Sequence, residues 1–138
     1  MKSMNEVVKM ADDRGIPAKL TRAVIKQSGG IESFNEDAPM IVQHGADGGY
    51  HGWVYYNETV LFAESNRKLI LDFAEHMADE FGEGLFEMIA GFNCLGDGYT
   101  ASSVASAIYE KNHEDRTSVM NALAWFAVEE VARAAFDE

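Results

Sequence analysis

Apolar residues recur every three to four positions over most of the chain, the spacing that lines up one face of an α-helix. The pattern is strongest over residues 117–136, where Trp125 and Phe126 lie off the main apolar line. The middle of this segment is therefore apolar nearly all round, as in helices that are buried on several sides. We predict a central C-terminal helix with the other helices packed over it. Its main apolar line consists of Met120, Leu123, Ala124, Ala127, Val128, Val131 and Ala135.

The rest of the pattern predicts an all-α fold, a single compact domain over residues 1–138 with six or seven helices, three of them long. Besides the C-terminal helix, helices are predicted at residues 5–14, 17–27, 58–64, 67–81, 85–92 and 100–111, with two short helical pieces at residues 31–35 and 39–44. Asn57, Asn66 and Thr100 have the side chains of helix caps. Residues 53–56 have strand propensity but no visible partner strand, so we interpret them as a lead-in to the next helix. On 67–81 the predicted buried side is Leu69, Ile70, Phe73, Met77 and Phe81.

Charge is divided unevenly along a chain whose net charge is −12. Residues 1–30 hold six basic and three acidic residues, a net of +3, and form a basic N-terminal helical arm. Residues 31–138 hold 20 acidic and five basic residues, a net of −15, and form an acidic body. Such a body repels nucleic acid and membranes and favours basic partners. Solubility alone is the alternative explanation of the acidity.

Composition predicts a soluble protein of the cytoplasm. Cys94 is the single cysteine, so no intramolecular disulfide forms, in keeping with a reducing compartment. No apolar run approaches the roughly 20 residues of a membrane span. The first residues lack the apolar segment of a signal peptide.

Acidic residues cluster on and just after the predicted helix 67–81. Asp72, Glu75 and Asp79 follow one another at steps of three and four, and Glu83 continues the series if the helix extends. Like charges at these spacings, and acids near a helix C-terminus, each cost from a few tenths to about 1 kcal/mol. Helix stability therefore does not explain these positions, and we predict a partner-binding acidic face. Its members are Asp72, Glu75, Asp79, Glu80, Glu83 and Glu87.

Two segments of the chain contain distinctive motifs. The first is the run GWVYYNETVLF at residues 52–62, followed by Arg67 and Ile70. The second is NALAWFAVEEVAR at residues 121–133. Both resemble small uncharacterised proteins encoded by bacteriophages and prophages, and the similarity covers residues 45–136 and leaves the basic arm out. Because that family has no assigned activity, the resemblance implies a phage gene expressed in a bacterial cytoplasm and implies no reaction.

Other candidate sites each have a structural alternative. His44, Asp47 and His51 flank a glycine-rich loop that could bring them together, but their spacing matches no metal motif, and we predict no metal or cofactor. Cys94 has neither a base nor a cation nearby in sequence, which favours a small core residue. Two further groups have a favoured role and an alternative. Glu129 and Glu130 are predicted as partners of Arg133, with functional carboxylates as the alternative. Trp53, Tyr55 and Tyr56 are predicted as core residues, with an aromatic contact to a partner as the alternative.

These features predict a non-catalytic inhibitor of the phage anti-defence type, such as an anti-CRISPR or antirestriction protein. Its acidic face would bind a basic, nucleic-acid-binding surface of a host protein or ribonucleoprotein, with no direct contact to nucleic acid or membrane. One alternative is an accessory or structural interaction protein, such as a homodimer. An enzyme that uses His44, Asp47 and His51 is the other.

Overall fold

The computed structural model describes residues 2–37, 40–41, 54, 56–92, 95 and 98–136. The all-α prediction is confirmed, although the described part alone contains eight helices rather than six or seven. These helices are α1 Met4–Asp13, α2 Ala18–Gln27, α3 Ile31–Asp37, α4 Tyr56–Ser65, α5 Arg67–Phe81, α6 Glu83–Ala90, α7 Ala101–Tyr109 and α8 Arg116–Phe136.

Helix α8 is the centre of the fold, as its apolar pattern predicts. It packs against α1, α2, α4, α5, α6 and α7, and Phe136 at its end stacks on Phe34 of α3 at a ring-centroid distance of 5.7 Å. Alanines make up about half of its buried positions, so neighbouring helices approach it closely on several sides. Trp125 and Phe126 are only partly buried and extend from this centre to the edge of the core.

The basic arm is built into this core. Helices α1 and α2 both pack on α8, where Val7, Ala11, Leu20 and Val24 are buried. The ammonium group of Lys2 donates a hydrogen bond of 2.9 Å to the carbonyl oxygen of Ala134, near the C-terminus of α8. A cation there suits the negative end of the helix dipole.

Side-chain caps are present at the starts of α1 and α7 and absent at the starts of α2, α5 and α6. The hydroxyl of Ser3 accepts from the N–H of Glu6 while the Glu6 carboxylate accepts from the N–H of Ser3, a reciprocal cap at the start of α1. The predicted cap at Thr100 is confirmed, with Ser103 as its reciprocal partner. The predicted cap at Asn66 is wrong, because its side-chain N–H donates to the carbonyl oxygen of Phe62 in the last turn of α4.

Ile41 and Val54 form an isolated antiparallel bridge. The helix predicted over residues 39–44 is therefore wrong at Ile41, since that residue pairs with a distant strand-like position. Val54, one of the lead-in residues, does have a pairing partner, which sequence inspection alone does not reveal. Met40 is buried in the core, and residues 39 and 42–44 lie outside the described residues.

Candidate functional site: an acidic and apolar surface on α5 and α6

The predicted acidic stripe lies on one solvent-facing side of α5. Asp72, Glu75 and Asp79 are all exposed, opposite the side on which Phe73 and Met77 are buried. Glu80 of α5 and Glu87 of α6 are exposed as well. The structure thus places these five carboxylates at the surface, where a partner could reach them.

Part of this charge is compensated within α5. Lys68 Nζ lies 3.0 Å from Asp72 Oδ2, and His76 Nε2 lies 3.2 Å from Glu80 Oε2, a contact that compensates charge only when the imidazole is protonated. Both pairs are exposed, and exposed pairs contribute at most about 1 kcal/mol. Glu75, Asp79 and Glu87 form no ion pair with any residue of the described chain. These three carboxylates therefore carry most of the uncompensated charge.

The stripe does not continue into Glu83 along one helix. Helix α5 ends at Phe81, and Gly82 has a φ of +57° and a ψ of −132°, a combination that glycine alone adopts without strain. Glu83 then begins α6. Glu83 and Glu87 accordingly belong to a second helix that meets α5 at a corner.

An apolar cavity of about 340 Å³ lies at that corner. Phe81 is 54% exposed and Met88 is 42% exposed, although both are large apolar residues. The prediction that Phe81 is buried is wrong. Met77, one turn earlier on the same stripe, is 6% exposed, so burial is lost at the end of α5. The cavity is lined by Met77, Phe81, Gly84, Leu85, Met88 and Phe126.

Stacked aromatic rings support this cavity from beneath. Phe126 of α8 stacks on Phe73 of α5 with ring centroids 6.4 Å apart, and on Phe92 with centroids 6.0 Å apart. Rings in these arrangements stabilise each other beyond their burial alone. The cavity wall at Phe126 is therefore held by the core of the protein.

Glu129 and Glu130 act as structural ion-pair partners, the reading that the sequence favours. Arg133 Nη2 lies 2.6 Å from Glu129 Oε1, and Arg133 Nε lies 3.9 Å from Glu130 Oε1. Glu130 Oε2 also accepts a hydrogen bond of 3.1 Å from Arg14 at the end of α1. The 19% exposed side chain of Glu130 thus joins α1 to α8.

Several predicted site residues fall where the structure gives no test. His44, Asp47, His51, Trp53, Tyr55 and Cys94 lie outside the described residues, and Tyr56 is the first residue of α4. Within the part of the chain that the structure describes, no group of three or more His, Cys, Asp or Glu residues could hold a metal ion. The described helices also include none that is long and apolar enough to cross a membrane.

Fold and surface together define an all-helical protein with an exposed acidic and apolar corner between two of its described helices. The chain belongs to the family described as a domain of unknown function, DUF7222, whose model matches residues 13–138. The family therefore includes most of the basic arm, which the resemblance over residues 45–136 leaves out. No curated protein and no solved structure matches the chain.

Proposed function

We propose that this protein is a non-catalytic inhibitor of the phage anti-defence type that acts in the bacterial cytoplasm. Its acidic face would bind the basic, nucleic-acid-binding surface of a host nuclease or CRISPR complex. The observation that carries the proposal is the α5–α6 corner. Exposed carboxylates without ion pairs among the described residues lie there on the same two helices that line an apolar cavity.

The apolar cavity favours direct protein docking over imitation of a nucleic-acid duplex. Phosphates on a duplex repeat about every 1.7 Å of axis, counting both strands. Residues three or four apart on a helix are separated by only roughly 4.5–6 Å of axial rise, and α5 provides a single row of them. The exposed rings and thioethers of Phe81 and Met88 have no counterpart among phosphates. They suit a partner that inserts apolar side chains between its basic residues.

A twofold homodimer through this corner is less favourable on charge grounds. It would bring Asp79, Glu80 and Glu87 of one copy close to the same carboxylates of the other. Like charges juxtaposed in an interface cost free energy and disfavour that partner. A basic partner, in contrast, gains from every unpaired carboxylate.

The test is a charge-reversed variant with Asp72→Lys, Glu75→Lys and Asp79→Lys. Wild-type protein should capture a nuclease or CRISPR complex from a bacterial lysate and inhibit it. Binding should weaken as salt rises from about 0.05 to about 0.5 M, because screening tightens over that range. The variant should lose both binding and inhibition, and Asn, Gln and Asn at the same positions should give an intermediate loss.

Two controls separate the site from the overall charge. Glu32→Lys, Glu58→Lys and Glu114→Lys change three exposed acids on other parts of the surface by the same amount and should bind as wild type does. Reversal of the exposed α2 cations Lys19, Arg22 and Lys26 should also weaken binding little. If the charge-reversed α5 variant inhibits as well as wild type, the proposal is wrong. Self-association without a basic partner would support an accessory role instead.

A further inference from the structure

A second cavity, of about 450 Å³, lies at the opposite end of α5 from the acidic and apolar corner. It is formed where the α4–α5 junction meets the loop between α7 and α8. Small-molecule sites in proteins usually have volumes of roughly 300–1,000 Å³. This cavity is therefore large enough for a metabolite, and its chemistry differs from that of the rest of the surface.

Three cationic side chains line the cavity: Arg67, Lys111 and Arg116. The acidic body has only five basic residues in all. The other two are Lys68, which pairs with Asp72, and Arg133, which pairs with Glu129 and Glu130. The three cations of the cavity form no ion pair with any residue that the structure describes. Cations left uncompensated within a body of net charge −15 indicate a site for an anion.

Local contacts fix the position of two groups in this wall. The guanidinium of Arg116 donates a hydrogen bond of 3.1 Å to the carbonyl oxygen of Ile108 in α7. The Nδ1 atom of His113 accepts a hydrogen bond of 3.1 Å from the N–H of Asp115. Arg67 and Arg116 are also the first residues of α5 and α8. The positive ends of these two helices therefore lie at the cavity beside the side-chain charges, together with the last turn of α4 that carries Glu64.

The remaining lining suits an anion that carries an organic group. Ala63 and Met120 are buried and give the cavity an apolar floor. Asn112 and Asn121 offer amide donors and acceptors, and the Glu64 carboxylate accepts hydrogen bonds from hydroxyl groups. We infer that this cationic cavity binds a small phosphorylated molecule with hydroxyl groups, of the size of a nucleoside monophosphate or a sugar phosphate.

The experiment is isothermal titration of the full chain with four probes: adenosine monophosphate, ribose 5-phosphate, inorganic phosphate and adenosine. At least one of the two phosphate esters should bind with 1:1 stoichiometry, and adenosine should bind much more weakly. Arg67→Gln and Lys111→Gln should each weaken binding about tenfold, the effect of losing one charge-assisted hydrogen bond. Both side chains are exposed, so both variants should keep the melting temperature of wild type.

Lys68→Gln is the matched control, because it removes the same charge from the neighbouring position outside the cavity. It should change affinity by less than about twofold, since an exposed charge beyond direct contact is largely screened. Equal weakening by Lys68→Gln and Arg67→Gln would overturn the assignment of this cavity. Saturable binding of neither ester, binding of adenosine as tight as that of the esters, or binding of inorganic phosphate alone would overturn it too.

Discussion

The buried hydroxyl of Thr21 provides a test of the core, because its removal should raise the stability of the protein rather than lower it. Thr21 lies on α2, its side chain is 0% exposed, and its Oγ1 has no hydrogen-bond partner among the residues that the structure describes. A buried hydroxyl without a partner costs roughly 1–3 kcal/mol in protein mutational data. Valine keeps the β-branched shape and the stiffness of threonine but lacks the hydroxyl. Thr21→Val should therefore stabilise the protein, whereas most core substitutions destabilise.

We expect the free energy of unfolding to rise by about 1–2 kcal/mol, because valine and threonine have similar helix propensities and similar shapes. For 138 residues, this gain corresponds to an increase of roughly 3–7 °C in Tm. Urea unfolding followed by circular dichroism measures it directly. The urea concentration at the midpoint should rise, while the slope of the unfolding free energy against urea concentration (the m-value) stays constant, since the surface exposed on unfolding is unchanged.

Thr59 of α4 is the matched control. It is 1% exposed, but unlike Thr21 it is engaged by a partner. The same substitution, Thr59→Val, should therefore lower the midpoint. If Thr21→Val also lowers it, the Thr21 hydroxyl is bonded in solution and the reasoning from its missing partner is refuted.

Three further predictions concern the core, the ion pairs and the glycine-rich loop. Leu123→Ala should lower the free energy of unfolding by about 2–5 kcal/mol because Leu123 is fully buried in α8. Trp125→Ala should lower it by less because Trp125 is partly exposed. A change in melting temperature of under about two degrees for both variants would contradict the central position of α8. Glu130→Ala should lower the free energy of unfolding by about 1–2 kcal/mol. In a double-mutant cycle with Arg14→Ala, the coupling free energy between the two residues should account for much of this loss. His44→Ala and His51→Ala should leave folding and inhibition intact, and loss of a bound metal from either variant, measured by elemental analysis, would favour the enzyme alternative.

Periodicity predicts the helices of this chain well because each depends on residues close together in sequence. Helix α5 has the predicted bounds, and the cap of α7 is where Thr100 places it. The reciprocal cap of Ser3 and Glu6 has a recognisable spacing, so it could have been found from the sequence. The Ile41–Val54 bridge joins positions 13 residues apart, and neither partner identifies the other.

The sites depend on information that periodicity does not contain. Exposure of Asp72, Glu75 and Asp79 follows from their place opposite the apolar stripe, so the sequence predicts it. Exposure of Phe81 does not follow, because the stripe includes Phe81 but cannot indicate that burial is lost at the end of α5. The cationic cavity is harder still, since Arg67 is more than 40 residues from Lys111 and Arg116 in the chain. Only the packing of α5 beside the α7–α8 loop brings them together.

Helix α5 links the two proposed sites, because its charges are placed against its own dipole at both ends. Arg67 and Lys68 stand at the positive end, and Asp79 and Glu80 stand at the negative end, where each opposes helix stability by up to about 1 kcal/mol. At each end, the side-chain charges have the same sign as the partial charge of the helix dipole, so both attract the same kind of ligand. An anion near Arg67 is attracted by the guanidinium and the helix N-terminus together, and a cationic partner near Asp79 is attracted by the carboxylates and the C-terminus together. The ends of this 15-residue helix are separated by roughly 20 Å, so screening at physiological salt keeps the two fields largely independent. One helix can therefore serve two ligands of opposite charge, at a cost in stability that its buried face offsets.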